Sequence, residues 1–252
     1  RATLIEPVVM LATILQWIVL ATLTGVIVGT GTSLFLHGLF FLSDQTASIS
    51  LSWQMALLPL GGLLNGLLLY YGYKINSTGL GDSVIAAVHR QSGKMPLATI
   101  AIKPVAAIIT LASGGSAGKE GPCSHIGGSL ASGLGRLLGL NVELQKRIVA
   151  CGVSAGFASV FGTPIAGAIY GVEVLAIGRI RHDFLFPAII AGVASFEVSK
   201  FWKIPYQYYT MQLLPPFDGV LFLKTIIIGI GCGIVASVFV EMIALARSLF
   251  TR

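Results

Sequence analysis

Charged residues are scarce in this sequence. Lys, Arg, Asp and Glu make up 10% of its 252 residues, whereas hydrophobic residues make up 55%. A soluble domain carries roughly 25% charged residues, so this composition argues against a chain that folds in water. Nucleic-acid binding is also disfavoured, because the formal net charge of +6 is scattered between apolar segments and forms no basic stripe.

Cysteine is scarce too, with three residues in the chain. Cys123, Cys151 and Cys232 stand far apart among small apolar residues. This pattern argues against a disulfide scaffold or a metal cluster, and we expect all three thiols to be buried as small hydrophobes. Because no nucleophile–base spacing or nucleotide loop occurs either, we predict a protein that is not an enzyme and has no cofactor.

Long apolar runs are what the sequence has instead. No Asp, Glu, Lys or Arg occurs between Pro7 and Ser43 or between Gln45 and Tyr73. Each run exceeds the ~20 residues that a helix needs to cross a bilayer, and both exceed the apolar core of a signal peptide, about 7–15 residues. We therefore predict an all-α, multi-pass integral membrane protein with a single transmembrane domain over residues 1–252.

The first two predicted helices also give an orientation. We expect them over Trp17–Leu42 and Met55–Tyr73, joined by a polar loop over Ser43–Gln54 that contains no Lys or Arg. Basic residues, among them Lys74 and Arg90, follow the second helix instead. Because cytoplasmic loops carry the excess of Lys and Arg, the N-terminus is predicted to be cytoplasmic.

Glycine-rich breaks divide the remainder into tilted and broken helices. The breaks are predicted at Ser77–Gly81, Ser113–Gly121 and Phe161–Gly167. Non-helical backbone at membrane depth is tolerated only where it is buried in protein or lines a wet cavity, and interrupted segments point to a substrate site. Helical pieces are expected at Asp82–Gln91, Leu97–Leu111, Pro122–Leu138, Glu143–Ser159 and Val220–Leu249.

The second break contains a lysine and a glutamate. A phosphate-binding loop does not fit it, because Gly114 and Gly118 enclose three residues rather than four, and Glu120 rather than Ser or Thr follows Lys119. Pro122 instead predicts the first turn of a helix. Such a helix start attracts anions through its free N–H groups and the positive end of the helix dipole.

Four side chains are candidates for function, each with an alternative. The Glu120 carboxylate would occupy the anion site and leave it on protonation or displacement, or it would only satisfy the helix end or pair with Lys119. Thr78 would coordinate the same anion, or it caps an ordinary loop. Glu173 is a proton relay or an interfacial charge. His125 tunes Glu120, or it hydrogen-bonds a backbone carbonyl.

Together the three breaks resemble the CLC family of chloride channels and chloride/proton antiporters. Gly118–Pro122, with the sequence GKEGP, resembles the family's G-[KR]-E-G-P signature. Ser77–Gly81 (STGLG) is similar to G-S-G-I-P, whose anion-contacting serine falls on Thr78. Gly162–Gly167 (GTPIAG), followed by Val172 and Glu173, resembles the N-A-P-L-A-G…E-E region.

This resemblance implies the first inverted repeat of a CLC-type fold, with chloride as the ligand and a homodimer with one pore per subunit as the working form. It makes Glu120 the gate. It places the anion contacts on Thr78, Gly79, Leu80, Gly118, Lys119 and Gly121. The second half of the fold would come from the same longer chain, which we expect, or from another copy.

Channel and antiporter remain alternatives at this point. In the family's antiporters the inner proton acceptor falls on the position of Val174, where an apolar residue is similar to the passive channels. The predicted function is therefore a passive voltage- or pH-gated chloride channel. The alternatives are a chloride/proton or fluoride/proton antiporter that relays protons through Glu173, and a non-conducting half-length membrane subunit.

Overall fold

The computed structural model describes residues 2–75, 84–176, 182–206 and 218–250, and within these ranges the chain is helical without strands. The helices are α1 (Ala2–Ala47), α2 (Leu51–Ile75), α3 (Val84–Arg90), α4 (Thr99–Ala112), α5 (Glu120–Leu137), α6 (Val142–Phe161), α7 (Pro164–Ala176), α8 (His182–Phe201) and α9 (Gly219–Phe250). The all-α prediction is confirmed.

Four of these helices are long and apolar enough to cross a membrane. They contain the segments Met10–Ala47, Leu51–Gly72, Asp183–Phe201 and Gly219–Ala246. The apolar helix α4 is shorter than these spans. A chain with several such helices is a multi-pass integral membrane protein, as the composition predicted.

The polar loop predicted at Ser43–Gln54 is wrong in its bounds. Helix α1 continues to Ala47 and α2 begins at Leu51, so only residues 48–50 connect them. The polar residues serve the helix end instead of breaking it. The Gln54 side-chain amide donates to the carbonyl of Thr46 at 3.1 Å and to that of Ile49 at 2.9 Å. The first bond reaches a carbonyl in the last turn of α1, and the second reaches the connection between the two helices.

Helix α6 is the centre of the bundle and packs against α1, α5, α7 and α8. Close approach depends on glycine: a Cβ on Gly127 of α5 would collide with the carbonyl oxygen of Gly152, and the reverse also holds. A Cβ on Gly156 would lie 2.5 Å from the carbonyl oxygen of Cys123. Gly152 and Gly156, in small-xxx-small spacing, therefore let α6 pack closely against α5.

Hydroxyl groups join α1 to the helices behind it. The Thr24 hydroxyl donates to the carbonyl of Leu20 at 2.7 Å, and that of Thr32 donates to the carbonyl of Val28 at 2.8 Å. Thr32 also shares a hydrogen bond of 2.5 Å with the Ser159 hydroxyl of α6. Both hydroxyls thus have a partner in their own helix, and that of Thr32 adds a contact between helices.

Residues 1–206 form one compact unit, and Gln207–Arg252 form a second, which contains α9. Within its own unit α9 is exposed along almost its whole length. The burial predicted for the thiols is therefore correct for Cys123 and Cys151 and wrong for Cys232, which is exposed. Within this second unit, neither Gly229 nor Gly233 has an atom within 4 Å of an added Cβ.

Candidate functional site

The second break ends in the helix start that the sequence predicted. Residues 113–119 leave the helical conformation and α5 begins at Glu120, which places Pro122 in the first turn. The N–H of Cys123 donates to the carbonyl of Lys119 at 3.3 Å, and Pro122 has no N–H. The N–H groups of Glu120 and Gly121 precede the first helical bond, so they are available to an anion.

The Glu120 side chain folds back over its own helix start. Its Oε2 lies where a Cβ on Gly118 would be, so only a glycine at position 118 leaves room for this conformation. The carboxylate is exposed in the described part of the chain. It therefore lies at the start of its own helix, next to Gly118.

The Lys119 side chain points toward the end of α6. Its ammonium lies 5.3 Å from the centroid of the Phe161 ring at the end of α6, within the range of a cation–π interaction. The alternative in which Glu120 pairs with Lys119 has no ion pair to support it among the described residues. The contact between Lys119 and Phe161 joins the second break to the third, because Phe161 is the last residue of α6 and immediately precedes the third break.

The third break is shorter than predicted. Helix α6 ends at Phe161 and α7 begins at Pro164, so only Gly162 and Thr163 separate them. Gly162 adopts the left-handed conformation, with φ 70°, and its N–H donates to the carbonyl of Ala158 at 2.9 Å. A glycine at this position ends α6 without steric cost, and the proline starts the next helix immediately.

An open cavity of about 470 Å³ lies in front of the α5 start. We call it the vestibule. It is lined by Leu39, Phe40, Ser43, Leu111, Ala117, Gly118, Lys119 and Glu120. The last third of α1 and the end of α4 thus form its walls, and both charged residues of the second break line it. The carboxylate of Glu120 is therefore accessible from this side.

Two other predicted site segments are not tested at this position. Thr78, Gly79 and Leu80 lie outside the described ranges. Glu173 is exposed on α7, nine residues after Pro164, which corresponds to about 13 Å along a helix axis. Their roles stay predictions.

A polar cluster behind the α5 start was not predicted from the sequence. Lys103 of α4 and His125 of α5 are joined by a hydrogen bond of 2.8 Å between Nζ and Nε2. The expectation that His125 bonds a backbone carbonyl is therefore wrong. Asn65 of α2 donates through Nδ2 to the Thr110 hydroxyl at 2.9 Å. Lone polar residues in the apolar segments of α2 and α4 were the available signal.

A second network fixes the loop between α3 and α4. The Ser132 hydroxyl of α5 donates to the carbonyl of Gly93 at 2.9 Å and accepts from the N–H of Met95 at 2.9 Å. Gln145 of α6 donates through Nε2 to the same Gly93 carbonyl at 3.2 Å. All three bonds are buried, and they attach the loop that follows α3 to α5 and α6.

The fold and the site define a helical membrane protein whose glycine-rich breaks place free backbone N–H groups and a carboxylate beside an open cavity. A family model described as voltage gated chloride channel matches residues 61–252. The chain therefore belongs to this family, and the resemblance to the CLC proteins is confirmed.

Individual relatives agree with this assignment. The chain is 32% identical over 234 residues to the chloride/fluoride channel protein of Pseudomonas syringae pv. tomato, an alignment that covers 93% of this chain and 51% of that protein. It is 31% identical over 199 residues to the voltage-gated ClC-type chloride channel ClcB of Yersinia pseudotuberculosis, covering 71% and 47%. The chain thus spans about half the length of the curated relatives it matches.

A solved structure shows the same fold. The chain is similar to the crystal structure of a CLC-type fluoride/proton antiporter, with a TM-score of 0.76 and 27% sequence identity over 88% of this chain and 55% of that one. The broken-helix fold predicted from the sequence is therefore confirmed.

Proposed function

We propose that the protein transports chloride or another small anion across the membrane along a path at the start of α5, and that Glu120 gates this path. The observation that carries the proposal is the position of the Glu120 carboxylate over Gly118, at the start of a helix whose first N–H groups have no intrahelical partner. An anion attracted to those groups would compete with the carboxylate for the same place.

Electrostatic repulsion prevents the ionised Glu120 carboxylate and an anion from occupying the site together. Two unit negative charges about 4 Å apart repel by about 1 kcal/mol in water and by about 4 kcal/mol at an effective dielectric constant of about 20. The ionised carboxylate therefore closes the site to an anion, and protonation or displacement of Glu120 opens it. Partial charges of N–H groups hold the anion without a full positive charge, so it can also leave.

The remaining anion contacts are proposed from the family motifs. The N–H groups of Gly118, Lys119 and Gly121 belong to the second break, and Thr78, Gly79 and Leu80 belong to the first. If the N-terminus is cytoplasmic, the end of α1 that lines the vestibule faces the outside, and so Glu120 opens toward external anions. A homodimer is the assembly that the family resemblance favours, with the second half of the fold supplied by the same longer chain or by another copy.

Passive conduction is the favoured mode, because Val174 is apolar at the position of the antiporters' inner acid. Proton-coupled exchange is the second candidate, and the exposure of Glu173 on α7 favours it as a relay. The relatives' names include both modes and both chloride and fluoride. A non-conducting membrane subunit is the third candidate.

The test is anion efflux from liposomes that contain the full natural chain. Glu120→Gln keeps the size of the side chain and removes its charge, so efflux should become constant across external pH. Glu197→Gln is the matched control, because Glu197 is exposed on α8 and pairs with Lys200 at 2.8 Å. Efflux that stays pH-gated in Glu120→Gln would refute the gate.

The same liposomes separate the three candidate functions. A chloride or fluoride gradient that drives protons uphill would identify an antiporter, and loss of this pumping in Glu173→Gln would assign the relay. Anion flux without proton movement supports the channel. Absence of any flux from the wild-type protein would favour the non-conducting subunit.

A further inference from the structure

A second cavity, of about 280 Å³, lies behind the α5 start between α2, α4 and α5. We call it the rear cavity. Gly121 and Pro122 form part of its wall, so it is adjacent to the turn that bears Glu120. Four polar side chains line it, namely Asn65, Lys103, Thr110 and His125. Polar groups in a membrane protein are costly unless they are paired, so their arrangement needs a physical account.

The directions of the hydrogen bonds in this cavity are determined by chemistry. The ammonium of Lys103 has only donors, so Nε2 of His125 accepts, and the neutral ring carries its proton on Nδ1. The Thr110 hydroxyl donates to the carbonyl of Ala106 at 2.9 Å, so it must accept from Nδ2 of Asn65. The amide of Asn65 therefore cannot be flipped, and its Oδ1 is an acceptor.

Two buried atoms of this cluster have no partner among the described residues: Nδ1 of His125 and Oδ1 of Asn65. One is a donor and the other an acceptor, and both residues line the same cavity. Leaving such atoms unpaired costs about 1–3 kcal/mol each. Water can accept from the first and donate to the second, whereas an anion would satisfy only the donor.

We propose that water in the rear cavity bridges His125 and Asn65 and completes a one-way chain of hydrogen bonds. The chain runs from Lys103 through His125, water, Asn65 and Thr110 to the carbonyl of Ala106. Bonds that point in one direction polarise one another. The chain holds the Lys103 ammonium against α5 and joins all three helices around the turn that bears Glu120.

The consequence for transport, which rests on the proposed function, is electrostatic. His125 follows Glu120 by five residues, which is about 7.5 Å along the helix axis. An ammonium within about 10 Å of an anion, at an effective dielectric constant of about 20, raises the anion's occupancy on the order of tenfold. His125 and Asn65 are thus positioning residues, which act on the anion through Lys103.

The first measurement is the dissociation constant of chloride, with fluoride in parallel, by calorimetry on the full natural chain. His125→Phe and Asn65→Leu each break the chain and should weaken binding by about tenfold. His125→Gln keeps an acceptor for Lys103 and a donor for water, so it should stay within about twofold of wild type. His37→Phe is the matched control, because His37 bonds the carbonyl of Ser33 in α1. Equal affinities in wild type and His125→Phe would overturn the proposal.

The second measurement does not depend on anion binding. Nitrogen-15 NMR of the histidine rings should show His125 as the neutral Nδ1–H tautomer, assigned by its absence in His125→Gln. Lys103→Met should convert it to the Nε2–H tautomer. If wild-type protein binds no anion, the proposed function fails, and the tautomer alone decides the chain: Nε2–H in the wild type contradicts it and Nδ1–H supports it.

Discussion

Gly118→Ala tests the closed position of the proposed gate by size alone. A Cβ at position 118 would overlap Oε2 of Glu120, so the carboxylate must leave its observed place. The backbone tolerates the change, because Gly118 is not among the glycines with positive φ. The substitution adds one methyl group and alters no charge. We expect it to favour the open state.

The size of the shift toward the open state follows from the energy that the Glu120 carboxylate needs to leave its observed position. It is the end of a flexible side chain, so it can rotate away at the cost of an off-rotamer torsion, about 0.5–1.5 kcal/mol. That cost falls on the closed state only, because in the open state the carboxylate has already left. The ratio of open to closed states should therefore rise by about two- to tenfold.

The assay is anion efflux from liposomes at a pH and voltage where the wild-type protein is mostly closed. Gly62→Ala is the matched control, because it adds the same methyl group on α2, away from the proposed anion contacts, and meets no atom within 4 Å. The decisive comparison uses a Glu120→Ala background, in which no carboxylate remains to be displaced. There the Gly118 substitution should change nothing, as in a double-mutant cycle. An equal increase in both backgrounds, or a decrease in wild type, would refute the steric explanation.

Two further predictions concern the packing that supports the site. Gly127→Ala forces a methyl group onto the Gly152 carbonyl and should lower the free energy of unfolding in detergent by about 1–3 kcal/mol. Gly62→Ala is the control, because its methyl group meets no atom within 4 Å and should not lower the free energy of unfolding. An equal loss in both variants would show that the contact between α5 and α6 is not the cause. Thr32→Val removes the hydroxyl that hydrogen-bonds Ser159 and should lower the free energy of unfolding by about 0.6 kcal/mol in the same denaturation measurement. No loss beyond experimental error would mean that this bond contributes nothing to stability.

The sequence predicted those features that depend on neighbours along the chain. The start of α5 was expected at Pro122 and lies at Glu120, because the glycines and the proline that determine it are adjacent. The end of α1 was predicted too early, since Asp44 and Thr46 look like loop residues. Only the side chain of Gln54, on the next helix, shows how that end is completed.

Features that depend on two helices crossing were not predicted. Lys103 and His125 are 22 positions apart, and nothing in either segment indicates that α4 and α5 bring them within 2.8 Å. The contact of Lys119 with Phe161 was missed for the same reason. Both pairs depend on the angle and register at which helices pack, which the hydrophobic pattern of one helix does not specify.

The inward bonds of the α1 hydroxyls have a consequence for biogenesis. Thr24 and Thr32 donate to carbonyls four residues earlier in the same helix, so these two hydroxyls are satisfied before any other helix is present. Ser159, which later meets Thr32, is synthesised more than a hundred residues afterwards. Both threonine hydroxyls can thus enter the lipid already bonded, whereas the Ser33 hydroxyl, which donates to Ser199, gains that partner only when α8 arrives.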